Sequence, residues 1–415
     1  MTGRPLRVLL SAYACEPGKG SEPGIGWNHA LQLARRHEVW VITRANNRKP
    51  IEEALRTAPQ PRLHPVYHDL PTWARWWKRG GRGVQVYYYL WQVSVIFVAR
   101  SLARHVDFDV THHITFGRYW VPSLLPFLPR PFIWGPVGGG DSVPRPFRCS
   151  LSAHGRLRNA VRDAIRRVAE IDPLLRFCAR RSTLALATTP ATESRLRRLG
   201  ATNVRLMPAV GLAEADIESL SSYSPPDGRI VRFVSIGHLL HWKGFEFGLR
   251  AFARANLNDA EYVVIGDGPE RRRLESVAAD LGIDERVRFL GRLPREQVLA
   301  ELRNCHALIH PSLHDSGGWV CLEAMAAARP VLCFDLGGPA VLVEEGTGCR
   351  IPAECPAEAV RLLADAMRSV ATDASHRREL GARGRNLVAE RYSWNQRGNV
   401  MACAYRESLP GTADE

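Results

Sequence analysis

Short apolar runs alternate with helical patterns along almost the whole chain, and most of these runs end in a turn containing glycine. In the second half the runs are Arg232–Ile236, Glu261–Ile265, Val287–Leu290, Ala307–His310 and Val331–Phe334. Runs this short and apolar, each followed by a helix, read as buried strands of a parallel sheet, whose crossovers are long enough to hold a helix. The first half opens the same way, with a strand at Arg7–Ser11, a glycine-rich turn from Pro17 to Gly26, a helix starting near Trp27 and a strand at Glu38–Thr43. Further strands are predicted at Asp109–Ile114, Phe132–Trp134, Leu184–Thr188 and Val204–Met207. At 415 residues the chain exceeds what one core holds, so two doubly wound α/β domains in tandem are expected. The boundaries read as a first domain over 1–208, a Pro-containing polar linker over 209–228, a second domain over 229–391, and a terminal helix and tail over 392–415.

In open α/β sheets ligands sit beyond the carboxyl ends of the strands. Four strand-end turns of the second half lie there: Gly237 to Gly244 with His238 and Lys243, Gly266-Asp267-Gly268-Pro269, Gly291-Arg292-Leu293-Pro294, and the loop after His310. That last loop is the most informative, because Asp315 and Glu323 bracket Ser316, Gly317, Gly318 and Trp319 at the start of a helical run. Small residues there let a ligand approach the backbone, and amides opening a helix form an anion site. Glu323 then suits a pair of vicinal hydroxyls, such as those of ribose, and Lys243 a diphosphate. The plainer alternative makes Asp315 a helix cap and Glu323 an ordinary first-turn acid.

Charge divides the chain. Residues 1–208 hold 32 Lys/Arg against 13 Asp/Glu, a balance of +19, whereas the remainder has 24 against 29, a balance of −5. The first half therefore attracts anionic partners. Within it Trp76 and Trp77 stand among Arg79 and Arg82, ahead of an uncharged run from Gly83 to Ala99. That run is too short and too polar to span a bilayer and reads as a buried or interfacial helix. Aromatic and basic residues together suit a contact with an anionic membrane surface, and a helix packed in the domain with a solvated basic lip is the alternative. His112 and His113 end one strand, and Gly138 and Gly139 belong to the glycine turn after the next, both at ligand-binding strand ends. Nine cysteines without a CxxC pair or metal-like spacing indicate a reducing compartment and no metal site. The N-terminal apolar run is the first strand rather than a signal peptide.

Taken together, Gly237…Lys243-Gly244, Gly266-Asp267-Gly268-Pro269, Gly291, His310-Pro311-Ser312 and Asp315 through Glu323-Ala324-Met325-Ala326 resemble the nucleotide-sugar domain of the family-four retaining glycosyltransferases. The first half resembles the acceptor domains of that family, at Gly18 to Gly26 and Trp134 to Gly140. The resemblance implies the GT-B architecture, two Rossmann-like domains facing across a cleft, with a helix from Trp394 crossing back to the first domain. It further implies transfer of a sugar from a nucleotide-diphosphate donor to a glycan or lipid-linked acceptor in cell-envelope or exopolysaccharide synthesis, without metal or other cofactor.

Carried over by residue, Lys243 holds the diphosphate and Glu323 the ribose. Asp315 contacts the donor sugar, the amides around Gly318 and Trp319 hold sugar and phosphate, and the Gly24–Gly26 loop closes over the diphosphate. His113, with His112 second to it, faces the reacting sugar. Asp315 replaces the family's glutamate and His238 its arginine. The implied location is the cytoplasm, at the inner face of the membrane. Other GT-B reactions, epimerisation or phosphorolysis, share the scaffold, and a basic nucleic-acid binder explains the charge but not the second-half motifs.

Overall fold

The computed structural model describes residues 4–74, 83–226 and 228–409. Two compact units divide them: residues 1–140, 164–209 and 394–415 form one, residues 141–163 and 210–393 the other. Residues 141–163, which the sequence reading kept with the first half, pack with the second unit through Val143, Phe147 and Leu151, buried beside Phe247 and Phe334.

The first unit is built on seven parallel strands: β1 (Arg7–Ala12), β2 (Glu38–Thr43), β3 (Leu63–Tyr67), β4 (Val110–Thr115), β5 (Phe132–Val137), β6 (Leu184–Ala187) and β7 (Val204–Leu206), in the order β3-β2-β1-β4-β5-β6-β7. The second has six: β8 (Val231–Ile236), β9 (Ala260–Ile265), β10 (Val287–Gly291), β11 (Ala307–His310), β12 (Val331–Phe334) and β13 (Gly348–Ile351), in the order β10-β9-β8-β11-β12-β13. Central strands such as β4, β5, β11 and β12 are buried throughout, as strands covered on both faces must be. Both sheets reverse their strand order once, beside β1 in the first unit and beside β8 in the second. A switch of this kind opens a crevice for ligands outside the carboxyl ends.

The two strands that sequence patterning missed, β3 and β13, are both sheet edges. Edge strands need not be apolar on both faces. β3 carries Pro65, which an edge tolerates, and β13 is only partly buried. A second departure concerns the glycine-rich segment after β1: the helix begins at Ser21 rather than near Trp27, so Gly24 and Gly26 belong to its first two turns. Gly26 is there for contact, since a Cβ on it would lie 2.0 Å from the Ala14 carbonyl oxygen. A third is that the 209–228 segment, read as a linker, contains the helix Glu214–Ser221, seated by buried Leu220.

From Val84 onward the uncharged run lies in the helix Val84–Ala103, which buries Tyr87, Tyr88, Trp91, Val95 and Ala99 and exposes Val86, Leu90 and Phe97. Among the described residues no helix is long and apolar enough to cross a membrane. Trp76, Trp77, Arg79 and Arg82 lie outside the described residues. The terminal helix Trp394–Glu407 packs on Ser21–Ala34 within the first unit, with Trp394 edge-on to His29. All nine cysteines are free thiols.

Candidate functional site

The strand-end turns of the second unit lock together before any side chain is considered. The Gly237 amide donates to the Ile265 carbonyl at 2.9 Å, Leu239 to Asp267 at 3.0 Å, and Gly266 to Gly291 at 2.8 Å. Gly268 donates to the Asp267 carboxylate at 2.8 Å and lies against the Leu239 backbone. The sequence-predicted Gly237, Gly268 and Gly291 are thus brought to one edge of the crevice, with His238 exposed beside them.

The turn after β8 also meets the loop after β11. Gly244 adopts φ +67°, and a Cβ there would stand 1.9 Å from the Pro311 carbonyl oxygen. Leu313 donates to the Trp242 carbonyl at 2.8 Å, and the Trp242 ring stacks on His314 with centroids 5.2 Å apart. Substituting Gly244→Ala is expected to cost about 3 kcal/mol, since it adds both strain and a backbone clash. Urea denaturation measures this, and an unchanged midpoint would contradict the close approach.

That contact delivers Lys243 to Asp315, and the two form an ion pair between Nζ and Oδ2 with side chains 20% and 17% exposed. His310 Nε2 lies 3.3 Å from the same oxygen, and the Gly317 amide donates to Oδ1 at 3.2 Å. Burial by itself raises the Asp315 carboxyl, but the Lys243 ammonium and His310 outweigh it and hold the group well below the usual carboxylate range. Asp315 therefore stays ionised at every physiological pH. Next to it Gly318, with φ +82°, turns the chain into the helix Trp319–Ala326, which no side chain caps. An opening turn of this kind suits an anion. Asp315, Ser316, Gly317, Gly318 and Trp319 are consecutive along this rim. It is braced from behind by Gly338, whose amide donates to the Asp315 carbonyl at 2.6 Å.

Glu323 is one turn further in, with its side chain 14% exposed. Arg295 donates to its Oε1 from Nε at 3.2 Å and from Nη2 at 3.1 Å, and Arg295 Nη1 reaches Asp216 at 3.1 Å. Both bonds fall on one oxygen. Burial raises the Glu323 carboxyl, and Arg295 offsets part of that rise. Asp216 and Arg295 were not singled out in the sequence. A signal existed for Arg295: it opens the helix Arg295–Arg303, where a cation opposes the helix dipole and so wants another reason to be there.

The first unit places its predicted residues differently. His112 and His113 lie on β4 with no solvent exposure. His112 bonds Tyr405 through Nδ1 at 2.7 Å and the Gly135 carbonyl through Nε2. His113 Nε2 is 3.2 Å from the Tyr88 hydroxyl, which itself donates to the Phe116 carbonyl at 2.8 Å. Burial pushes His113 down to about 3 and His112 to about 4, so both are neutral at pH 7. Neither meets an open surface in this structure, because both point into the packed interior around β4. Gly138 bonds Gly117 through its amide at 2.6 Å, and Gly139 lies against the Trp120 ring with its carbonyl accepting from Arg166 at 2.6 Å. Glu22, which sequence reading passed over, accepts from the Gly117 amide at 3.3 Å from the first turn of Ser21–Ala34. Among the described residues no cluster of three or more His, Cys, Asp or Glu is placed to hold a metal ion.

Residues 221–387 match the family described as "Glycosyl transferases group 1". The chain is 29% identical over 272 residues to the alpha-D-kanosaminyltransferase of Streptomyces kanamyceticus, covering 62% of this chain and 68% of that one. The next three curated relatives are matched over 45% to 64% of their lengths. Among solved structures, sucrose-phosphate synthase from Thermosynechococcus elongatus superposes with a TM-score of 0.63 at 18% identity, over 97% of this chain and 99% of that one. HepE of Anabaena in complex with UDP does so with a TM-score of 0.59 at 16% identity, over 96% and 100%. These structures share the GT-B fold, two Rossmann-like parallel-sheet domains, and so does this chain.

Proposed function

We propose that this chain, a group 1 glycosyltransferase through residues 221–387, binds a nucleotide-diphosphate sugar at the carboxyl ends of β8 to β11 and transfers the sugar to an acceptor hydroxyl. The observation that carries the donor site is the meeting of Lys243 and Asp315, from two loops flanking the switch point, beside the uncapped turn that leads to Glu323. Lys243 and the amides opening Trp319–Ala326 supply the positive charge that a departing diphosphate needs. Glu323 accepts the ribose hydroxyls through its carboxylate. Asp315, already engaged by Lys243, His310 and the Gly317 amide, orients the lysine and lies beside the sugar.

In the step itself the bond between the anomeric carbon and the diphosphate oxygen breaks, and a bond from that carbon to the acceptor oxygen forms. The acceptor's proton passes to the departing phosphate oxygen, and attack from the face of departure retains the configuration. The chemistry asks for no metal, since Lys243 and the helix amides carry the compensating charge. The acceptor in this reading is a glycan or lipid-linked sugar taken by the basic first unit. Exposed Trp73, Val86, Leu90 and Phe97 support a peripheral contact of that unit with an anionic membrane.

A thermal-shift screen of nucleotide-diphosphate sugars tests the proposal. At about a hundredfold excess over Kd the true donor is expected to raise Tm by roughly 5 °C or more. No shift with any donor of the panel would count against it.

A further inference from the structure

A cavity of about 200 Å³ opens in the second unit at the opposite end of the sheet from Lys243 and Asp315. His306, which immediately precedes β11, and Arg329, just ahead of β12, line it with Arg377, Arg378 and Arg385 of the helix Ala374–Arg391. The four-residue strand β11 separates His306 from the loop that carries Asp315, a span of about 13 Å. No carboxylate lines the cavity. Among the described residues none of these four arginines forms an ion pair; those of the same helix run from Arg383 to Glu379 and from Arg391 to Glu344.

Helix ends account for part of this charge. Arg329, 2% exposed, donates to the carbonyls of Ser224 at 2.8 Å, Arg303 at 2.9 Å and Leu302 at 3.4 Å. Arg377 donates to Val370 at 2.6 Å, and Arg385 to Ser221 at 3.4 Å. The helices Glu214–Ser221, Arg295–Arg303 and Pro356–Thr372 all close here. Each helix end carries about half a negative charge, so three of them offset about 1.5 of the four positive charges. The Arg378 side chain has no hydrogen bond or ion pair among the described residues. The surplus is felt locally: burial, then Arg377, Arg329 and Arg232, hold His306 down at about 4, and burial brings Arg329 to about 10.

We propose that this cavity is an anion site, separate from the donor loops, that takes a phosphate-bearing ligand. Several guanidinium forks around one space match the oxygens of a phosphoryl group, and a surplus of more than two charges favours a multivalent anion over a carboxylate. Tyr223, Pro225 and Pro226 form an apolar wall on which the organic part of a phosphate ester would rest. The inference does not depend on the donor reading.

Calorimetry on the full chain with inorganic diphosphate and with phenyl phosphate tests it. Diphosphate is expected to bind the wild type at two sites, of which Lys243→Ala keeps one. Arg378→Ala/Arg385→Ala, which removes one exposed and one half-buried cation of the lining, is expected to weaken that remaining site by about tenfold or more. Its far-ultraviolet circular dichroism should be unchanged. Tighter phenyl phosphate identifies a phosphorylated metabolite as the natural ligand, and tighter diphosphate an inorganic one. Binding of both probes that is indifferent to Arg378→Ala/Arg385→Ala would overturn the site, whereas a Lys243→Ala variant that keeps both diphosphate sites counts against the donor reading alone.

Discussion

Replacing Lys243 with alanine is expected to lower kcat/KM by about two to three orders of magnitude, the effect of removing one preorganised donor from a site of developing negative charge. The same change should destabilise the second unit by about 2 kcal/mol, because it leaves Asp315 largely buried with its main counter-charge gone. The two effects separate. A Lys243→Ala/Asp315→Ala double variant should recover most of the stability and none of the activity. The pH dependence has a definite sign. In the wild type Asp315 is held below its usual range, so its contribution is present above the ordinary carboxylate value of about 3.9 and is lost as pH falls through the folded value. The variant lacks most of that contribution at neutral pH. The gap in denaturation midpoint should therefore narrow as pH is lowered, and a gap that widened would show that the ion pair is not its source.

Glu323→Ala is expected to reduce kcat/KM by about a hundredfold through donor binding, with a stability change below about 1 kcal/mol. Stability survives because Arg295 keeps Asp216 as a partner. Glu323→Gln retains an oxygen that accepts a hydrogen bond and should restore part of the donor affinity. Burial raises the Glu323 carboxyl, so wild-type donor affinity should decline as pH falls through that raised value, while the glutamine variant stays level. Steady-state kinetics across pH reads both. Parallel profiles for wild type and glutamine variant would remove the carboxylate from donor binding.

How much of this was legible in the sequence follows from which interactions are local. The β11–loop–helix unit could be read because apolar periodicity, Pro311, the glycines at 317 and 318 and the two carboxylates lie within a few turns of one another. The meeting of Lys243 with the 310–323 segment is not local, and only their shared place at strand carboxyl ends and the family resemblance pointed to it. The partner of Glu323 could not be read, since Arg295 is 28 residues away and is placed by the Arg295–Arg303 helix. Nor could the edges β3 and β13, whose exposure erases the apolar pattern that marked the other strands. Glycine density misled at Ser21–Ala34, where Gly26 serves a close helix–backbone contact rather than a loop. His112 and His113 show the limit of position along a strand. They were expected to end their strand but are the middle pair of β4, which runs on through Ile114 and Thr115, and Tyr88, Tyr405 and the Gly135 carbonyl hold them in the core.

The central claim is that Glu323 reads the ribose of a nucleotide donor in the crevice where Lys243 meets Asp315. Calorimetric titration of UDP and its 2′,3′-dideoxy counterpart into the wild type and Glu323→Ala tests it directly. The wild type should prefer the ribose form by about tenfold or more, as a carboxylate accepting two hydroxyls requires, and Glu323→Ala should bind the two forms alike. Equal preference in both proteins, or none in the wild type, would contradict it.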